Sequence, residues 1–202
     1  MEKFLSLPKE KQTSIIDAAL ACFSKNGYKK ASVSDIATAA GVSKAMIFHY
    51  FGSKKELYGY LIEYCNEIMR RDIAEKYDYS ITDFFDKMRM GTELKIRILE
   101  EHPFILTFYN SVYHEKEEEV QNLREEVLKM RSDYSGKIGF MNMDTTKFKE
   151  GVDPKLVLSI LTGISENHSN QLSAGRSAED ALHEFHACLQ LLRNNLYKEE
   201  YL

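Results

Sequence analysis

The sequence predicts an all-α fold of about nine helices, with an N-terminal three-helix head followed by a helical body. Apolar residues recur three and four positions apart along most of the chain, which is the spacing of one helix face. Small polar residues of the kind that cap helix N-termini precede several of these stretches. Glycine (10) and proline (3) are scarce among the 202 residues. This composition argues against a turn-rich all-β chain.

The first helix is predicted from a single apolar stripe. The stripe repeats at helical spacing through Ile15, Ile16, Ala19, Leu20 and Phe23. Asn26 and Gly27 follow directly. Glycine readily adopts the left-handed conformation that ends a helix, so we expect this helix to stop at Gly27.

Two short helices separated by a glycine turn come next. Ser32 opens the second helix with a capping-box pattern, and Gly41 ends it. Ser43 is placed to cap a third helix that continues to about Tyr50. This is helix-turn-helix geometry, in which the second of the two helices enters the DNA major groove. We expect its outer side to expose Lys44, Ala45, Met46, Phe48, His49 and Tyr50.

The fourth helix and the helices of the body continue the pattern. Ser53 begins another capping box, ahead of a long helix that runs to roughly Lys76. Pro103 is predicted to open a later helix, and Gly175 to separate the last two. Residues 136–151 are predicted to form a loop with one helical turn. The five body helices are predicted over residues 83–101, 103–113, 120–134, 154–174 and 178–198.

Several classes of protein are excluded by composition and by motifs that do not occur. The longest apolar stretch, residues 156–164, is too short and too interrupted to span a membrane. The first twelve residues lack the apolar segment of a secretory signal. The 3 cysteines lie far apart and show no Cys-x-x-Cys spacing. We therefore expect a cytoplasmic protein with reduced thiols.

Neither a metal site nor a catalytic site is predicted. His183 and His186 lie close to Cys188 in sequence, but no further ligands complete a metal-binding set. No nucleophile elbow, phosphate-binding loop or dinucleotide fingerprint is found in the sequence. We expect a protein that is not an enzyme and carries no cofactor.

The charge of the chain is divided unevenly along its length. Residues 1–60 carry nine basic and five acidic side chains, a net charge of +4, whereas residues 61–202 carry a net charge of -8. A basic head on an acidic body is the distribution expected when one end of a protein meets a polyanion. On its own this asymmetry is a weak indication of nucleic-acid binding.

The segment from Ser32 to Tyr58, SVSDIATAAGVSKAMIFHYFGSKKELY, resembles the signature of the tetracycline-repressor (TetR) family of bacterial transcription regulators. The resemblance covers about residues 10–60, while beyond them only length and helical character agree. It implies a homodimer whose two heads enter successive major grooves of a near-palindromic, double-stranded operator. The matching residues are Ile36, Ala37, Ala40, Gly41, Val42, Ser43, His49, Tyr50, Phe51 and Leu57, with Lys54 or Lys55.

The resemblance also implies where DNA is contacted. The start of the third helix contacts bases and adjacent phosphates through Ser43, Lys44, Ala45 and Met46. Later positions of that helix meet the DNA backbone, and they are Phe48, His49 and Tyr50. The fourth and second helices add Lys54, Lys55, Ser32 and Ser34. The family often has Gly, Thr and Tyr at positions 45, 46 and 48, so an operator sequence does not transfer.

A candidate ligand site is suggested by a concentration of aromatic residues. Eight of the 37 residues from 77 to 113 are aromatic, and an aromatic-lined cavity suits an apolar or cationic small molecule. An ordinary hydrophobic core would give the same pattern, and the sequence leaves that alternative open. Asn167 and His168 interrupt the apolar face of a later helix and are candidate polar anchors. The aromatic candidates are Phe84, Phe104, Phe108, Tyr109 and Tyr113.

The last predicted helix carries an apolar seam suited to close helix packing. The seam consists of Leu182, Phe185, Leu189, Leu192 and Leu196. In the family that the chain resembles, the final two helices form a four-helix bundle across the dimer axis. The resemblance therefore implies a dimer interface here, although a core within one chain would look similar.

These observations together predict a repressor released from DNA by a small hydrophobic or aromatic effector. Residues 1–52 are assigned to DNA binding, and residues 53–202 to ligand binding and dimerisation. An activator with the same head is a second possibility. A third is a regulator-like helical protein that acts mainly through small-molecule or protein binding. The sequence identifies neither the effector nor the operator.

Overall fold

The computed structural model describes residues 2–102, 104–140, 142–173 and 176–202, and these residues form an all-α fold as predicted. Within the described ranges there is no β-strand, and none of the helices there combines the length and apolarity that a membrane span requires. The helices are α1 (Glu2–Leu5), α2 (Lys9–Lys30), α3 (Val33–Ala39), α4 (Lys44–Phe51), α5 (Lys54–Lys76), α6 (Phe84–Glu101), α7 (Ile105–Tyr113), α8 (Gln121–Phe140), α9 (Pro154–Ser173) and α10 (Ala178–Leu196).

The predicted caps are present, and they explain where the helices of the head begin. Ser32 Oγ accepts a hydrogen bond from the Asp35 amide at 3.3 Å, and Ser43 Oγ accepts one from the Met46 amide at 3.2 Å. Ser53 Oγ does the same for the first turn of α5 at 3.1 Å. Each bond satisfies an amide that has no partner inside its own helix.

One predicted boundary is met in part, and a second was wrong. Gly27, at φ 66° and ψ 177°, interrupts α2 where we expected the helix to stop, and a further helical turn then reaches Lys30. Helix α8 extends to Phe140, well into the stretch that we predicted as a loop from residue 136. Pro103 and Gly175, predicted to begin one helix and separate two others, lie outside the described residues.

The chain forms two compact units. Unit one contains the described parts of residues 1–71 and 102–130, and unit two those of residues 72–101 and 131–202. Unit one therefore includes α7 and the first half of α8 together with the N-terminal head. The functional division that the sequence suggests, after residue 52, stays a prediction.

Helix α1 was not predicted, and it completes the core of unit one. The Phe4 side chain is fully buried, with its ring centroid 4.8 Å from that of Phe51 and 5.4 Å from that of Tyr60. Gln12 Nε2 donates hydrogen bonds to the carbonyls of Leu5 at 3.0 Å and Leu7 at 2.8 Å, which fixes the turn between α1 and α2. A four-residue helix has too few positions for a periodic pattern to reveal it.

Unit two has a separate aromatic core at the start of α6. The rings of Phe84, Phe85, Phe148 and Tyr197 pack against one another with centroids 4.9 to 6.0 Å apart. The Lys149 amide donates to the Leu196 carbonyl at 2.9 Å, and the Lys198 amide donates to the Lys147 carbonyl at 3.0 Å. These bonds tie the loop before α9 to the end of α10.

A buried carboxylate joins these segments of unit two. Asp83 is 6% exposed, and its Oδ1 accepts hydrogen bonds from the amides of Phe85 at 3.0 Å and Asp86 at 3.1 Å. Its Oδ2 lies 2.9 Å from Lys147 Nζ and 3.7 Å from an Arg193 guanidinium nitrogen. One side chain thus caps α6 and pairs with two cations from other segments.

We expect Asp83→Asn to lower stability at neutral pH and to flatten its pH dependence. Burial raises the pKa of Asp83, but Lys147, the Asp86 amide and Arg193 outweigh it and hold the pKa below 3.8. Because this pKa is lower in the folded state, the ionised carboxylate stabilises the fold above about pH 4, and that contribution disappears as pH falls through the lowered pKa. Loss of the charged bonds should cost about 1.5–3 kcal/mol.

Thermal unfolding of wild type and Asp83→Asn, followed by circular dichroism at about pH 7 and about pH 3, measures both effects. The gap between the two melting temperatures should narrow at the lower pH. If the variant loses stability on acidification as steeply as the wild type, Asp83 is not the group responsible.

Candidate nucleic-acid interface

The turn between α3 and α4 sets the angle of the helix-turn-helix. Gly41 adopts φ 62°, a conformation that side chains other than glycine rarely take. The Gly41 amide donates to the Thr38 carbonyl at 3.1 Å, and the Val42 amide donates to the Ala37 carbonyl at 2.9 Å. A Cβ at position 41 would make only ordinary contact with Lys11, so crowding does not require glycine there. The positive φ is the reason for it.

Lys11 supports this turn from α2, a role that the sequence did not indicate. Its Nζ donates hydrogen bonds to the carbonyls of Gly41 at 2.9 Å and Ala40 at 3.2 Å. These carbonyls end α3 and lie beyond its hydrogen-bond ladder. A lysine in an amphipathic helix usually indicates a solvated face, so no sequence signal distinguishes this residue.

The buried side of α4 attaches the helix to the core of unit one. Ile47 is 1% exposed, Phe51 4% and Tyr50 6%. The Tyr50 ring lies 6.1 Å from that of Phe4, so the expectation that Tyr50 belongs to the exposed side was wrong. Large apolar groups on this side hold the position of α4 and leave its other face to solvent.

The other face of α4 and its first turn are open to solvent. The exposed residues there are Ser43, Lys44, Ala45, Met46, Phe48 and His49. Met46 and Phe48 are 38% and 37% exposed, and Lys44 Nζ lies 5.9 Å from the Phe48 ring centroid. A capped helix start with small side chains can approach base edges closely, and its free amides favour phosphate.

The remaining residues that we predicted to contact DNA differ in their exposure and in the hydrogen bonds that they make. Ser34 is exposed, whereas Ser32 is half-buried and caps α3. Lys54 Nζ donates to the Lys29 carbonyl at 3.1 Å and lies 4.7 Å from the Tyr28 ring centroid. Lys54 therefore stabilises the junction of α2 and α5, while the half-buried Lys55 begins the same helix.

The residues of unit one that we predicted to bind a ligand differ in their burial and in their contacts. Phe108 is fully buried, with its ring 5.3 Å from that of Tyr58, whereas Phe104 is 38% exposed. The Tyr109 hydroxyl donates to the side-chain oxygen of Asn66. Tyr113 lines an open groove of about 370 Å³ that it shares with His114, Glu115, Lys116, Gln121 and Arg124.

The predicted ligand residues of unit two are also placed differently from one another. Phe84 is fully buried in the aromatic core, and Asn167 is exposed. His168 is 7% exposed, and its Nε2 lies 3.5 Å from a carboxylate oxygen of Glu184. Phe84 and Phe108 belong to the cores of different units, and a ligand role for any of these seven residues stays a prediction.

The apolar seam predicted for the dimer divides into two groups. Phe185 and Leu189 are 2% and 5% exposed because they pack into the core of their own unit, which corrects their assignment to an intermolecular surface. The half-buried members are Leu182, Leu192 and Leu196. Among the described side chains of α9 and α10, the large apolar ones that are exposed are Leu191 on α10, at 63%, with Leu156 and Ile160 on α9, at 61% and 48%.

A helix-turn-helix whose second helix is open to solvent is the arrangement through which many transcription regulators bind DNA. Residues 15–61 match the family described as "Bacterial regulatory proteins, tetR family". The match covers well under half of the chain, and it agrees with the assignment that the motif of residues 32–58 suggested.

Individual relatives agree with this assignment. The biofilm operon negative transcriptional regulator IcaR of Staphylococcus aureus is 34% identical over 70 residues, which cover 33% of this chain and 38% of the relative. The match thus spans well under half of that relative's length.

Solved structures resemble the chain over nearly its whole length. A TetR family regulator from Chloroflexus aurantiacus has a TM-score of 0.71 at 20% identity, covering 98% of this chain and 99% of its own. A transcriptional regulator from Saccharomonospora viridis, solved in complex with choline, has a TM-score of 0.66 at 17% identity, covering 95% and 100%. At these identities the likeness concerns the fold.

Proposed function

We propose that the chain is a homodimeric repressor that binds a near-palindromic operator through α3 and α4 and is released by a small effector. The observation that carries this proposal is the Ser43-capped, solvent-open face of α4, within a segment that matches the family. Residues 1–52 would bind DNA, and residues 53–202 would bind the effector and dimerise. IcaR, named a negative regulator, supports a repressor rather than an activator.

Selection from a pool of random duplex DNA tests this proposal directly. The recovered sequences should contain two inverted half-sites whose centres lie roughly 34–36 Å apart, or one turn of DNA. A footprint on the promoter that carries such a site, combined with transcription in vitro, separates repression from activation. Failure to enrich any duplex would favour the alternative of a helical protein that acts through other partners.

The dimer is proposed to form through α9 and α10. A short connection makes these two packed helices antiparallel neighbours. The N-terminal half of α9, with Leu156 and Ile160, therefore lies at the same end as the C-terminal half of α10, with Leu191. Exposed apolar side chains grouped in this way are typical of a surface that another protein covers.

The effector is proposed to be a small molecule with apolar or aromatic-binding cationic character. The choline complex of the Saccharomonospora viridis regulator supports a cationic effector, and the groove beside Tyr113 offers an aromatic wall. An effector that favours a second shape of the dimer weakens DNA binding by its difference in affinity for the two shapes. A hundredfold release requires about 2.7 kcal/mol.

Lys44→Ala should weaken operator binding while helicity and dimerisation stay unchanged. Lys44 is exposed in the first turn of α4, where a phosphate contact would displace condensed counterions. The slope of log affinity against log salt concentration should therefore fall by about one unit per head. Titrations of the selected operator at several salt concentrations measure this slope. An unchanged affinity and slope would remove Lys44 from the interface.

A further inference from the structure

The kink in α2 presents Tyr28 to an acidic corner, residues 115–119, between α7 and α8. The Tyr28 amide donates to Glu115 Oε2 at 2.7 Å, and the Tyr28 hydroxyl donates to Glu119 Oε1 at 2.8 Å. Positive φ at Gly27 turns this amide away from the hydrogen-bond ladder of α2, which leaves it available for the carboxylate. Tyr28 is only 4% exposed, so both of its polar groups need partners within the protein.

Both carboxylate oxygens of Glu115 are engaged by backbone amides. While Oε2 accepts from Tyr28, Oε1 accepts from the amides of Lys116 at 2.8 Å and Glu117 at 3.1 Å. Burial raises the pKa of Glu115, but these three amides and nearby Lys54 outweigh burial and lower it. Glu115 is therefore ionised at neutral pH and accepts from three donors at once.

The acidic corner is itself fixed to α8. Gln121 Nε2 lies 3.3 Å from the carbonyl oxygens of both Glu115 and Glu117 and donates to them. Arg124 Nε donates to the Tyr113 carbonyl at 2.9 Å. Because side chains of α8 hold its backbone, the corner is a firm support for the residue that it contacts.

On its other side, Tyr28 packs against α5, a few residues before the helix-turn-helix begins. Its ring packs against Tyr58 of α5, with centroids 5.2 Å apart, and lies under Lys54 Nζ. The chain then reaches Ser32, the cap of α3, within four residues. The exposed ion pair between Lys29 and Glu117, at 3.1 Å, adds little stability in water.

We propose that Glu115 is a positioning residue for operator binding, because it holds the end of α2, and with it the start of α3, against the α7–α8 corner. The inference rests on the proposed DNA-binding function. Both heads of a dimer must fit successive grooves at the same time. A small shift in the position of α2 therefore lowers the affinity for a specific site. Glu115 acts through Tyr28 and needs no contact with DNA.

Glu115→Gln tests the proposal with almost no change of shape. Glutamine has an NH2 group in place of one carboxylate oxygen, and this group cannot accept a hydrogen bond from a backbone amide. The hydrogen bonds made to that oxygen are therefore lost. Glu118→Gln is the matched control, since Glu118 is exposed in the same corner and the change of charge is identical. Removal of a negative charge alone should leave DNA affinity unchanged or raise it.

Of the two variants, only Glu115→Gln should therefore lose affinity for the operator. We expect Glu115→Gln to bind the selected operator about tenfold more weakly, which corresponds to about 1.4 kcal/mol. Its binding to random-sequence duplex, which depends on phosphate contacts, should not fall below the wild-type level. The Tyr28 amide should also exchange its hydrogen faster in this variant, whereas in Glu118→Gln it should stay protected.

Equal operator affinity of Glu115→Gln and Glu118→Gln would overturn the proposal, as would unchanged protection of the Tyr28 amide. Circular dichroism and sedimentation confirm that each variant is a folded dimer at the temperature of the titrations. If Glu115→Gln does not fold, Glu115→Asp keeps the charge and withdraws the carboxylate, and the same loss of operator affinity is expected. A wild type that selects no DNA refutes the proposed function instead, and this result is independent of the variants.

Discussion

Leu191→Glu should convert the proposed dimer to a monomer and abolish operator binding at working concentrations. Leu191 is 63% exposed on α10, and Leu156 and Ile160 are 61% and 48% exposed on α9, the other helix of the proposed interface. A carboxylate buried there in a dimer would have no compensating partner. Each head would then bind its half-site independently, and the loss of linkage should reduce affinity by about 100-fold or more.

Sedimentation velocity and operator titration measure the two consequences. Leu202→Glu is the matched control, because Leu202 is 61% exposed and lies outside α9 and α10. This control should stay dimeric with wild-type affinity. If Leu191→Glu also stays dimeric, the interface lies elsewhere.

Most of the head could be predicted because its signals are local. The caps at Ser32 and Ser43 and the turn at Gly41 each follow from a few adjacent residues, and the structure contains all three. Gly27 shows the limit of such signals, since glycine permits both a helix end and a kink. The residue after Gly27 makes a contact that no local pattern indicates, since Glu115, far along the chain, accepts a hydrogen bond from the Tyr28 amide.

The dimer surface could not be predicted at the level of residues. Apolar spacing identifies a hydrophobic side of α10, but it does not separate side chains that fill their own core from those that face a partner. Leu189 belongs to the first kind, at 5% exposure, while Leu191, two positions later, is 63% exposed. Lys11 and Phe4 were missed for a related reason, because their roles depend on residues of other helices.

Phe108→Ala should destabilise unit one by about 3–5 kcal/mol, the loss expected when a buried phenylalanine is truncated. The Phe108 side chain is fully buried, with its ring centroid 5.3 Å from that of Tyr58 and 6.4 Å from that of Phe23. Phe104→Ala is the control from the same segment, since that ring is 38% exposed and its loss should change stability by no more than about 0.5 kcal/mol.

Thermal unfolding with and without choline then separates a core residue from a wall of the effector site. A ligand at a hundredfold excess over its dissociation constant stabilises a protein by about 2.7 kcal/mol. If Phe108 only fills the core, its alanine variant should melt at a lower temperature but keep whatever shift choline gives the wild type. If the variant instead keeps its stability and loses that shift, Phe108 lines the site. The packing against Tyr58 and Phe23 favours the first result, because it places the Phe108 ring within the core of unit one.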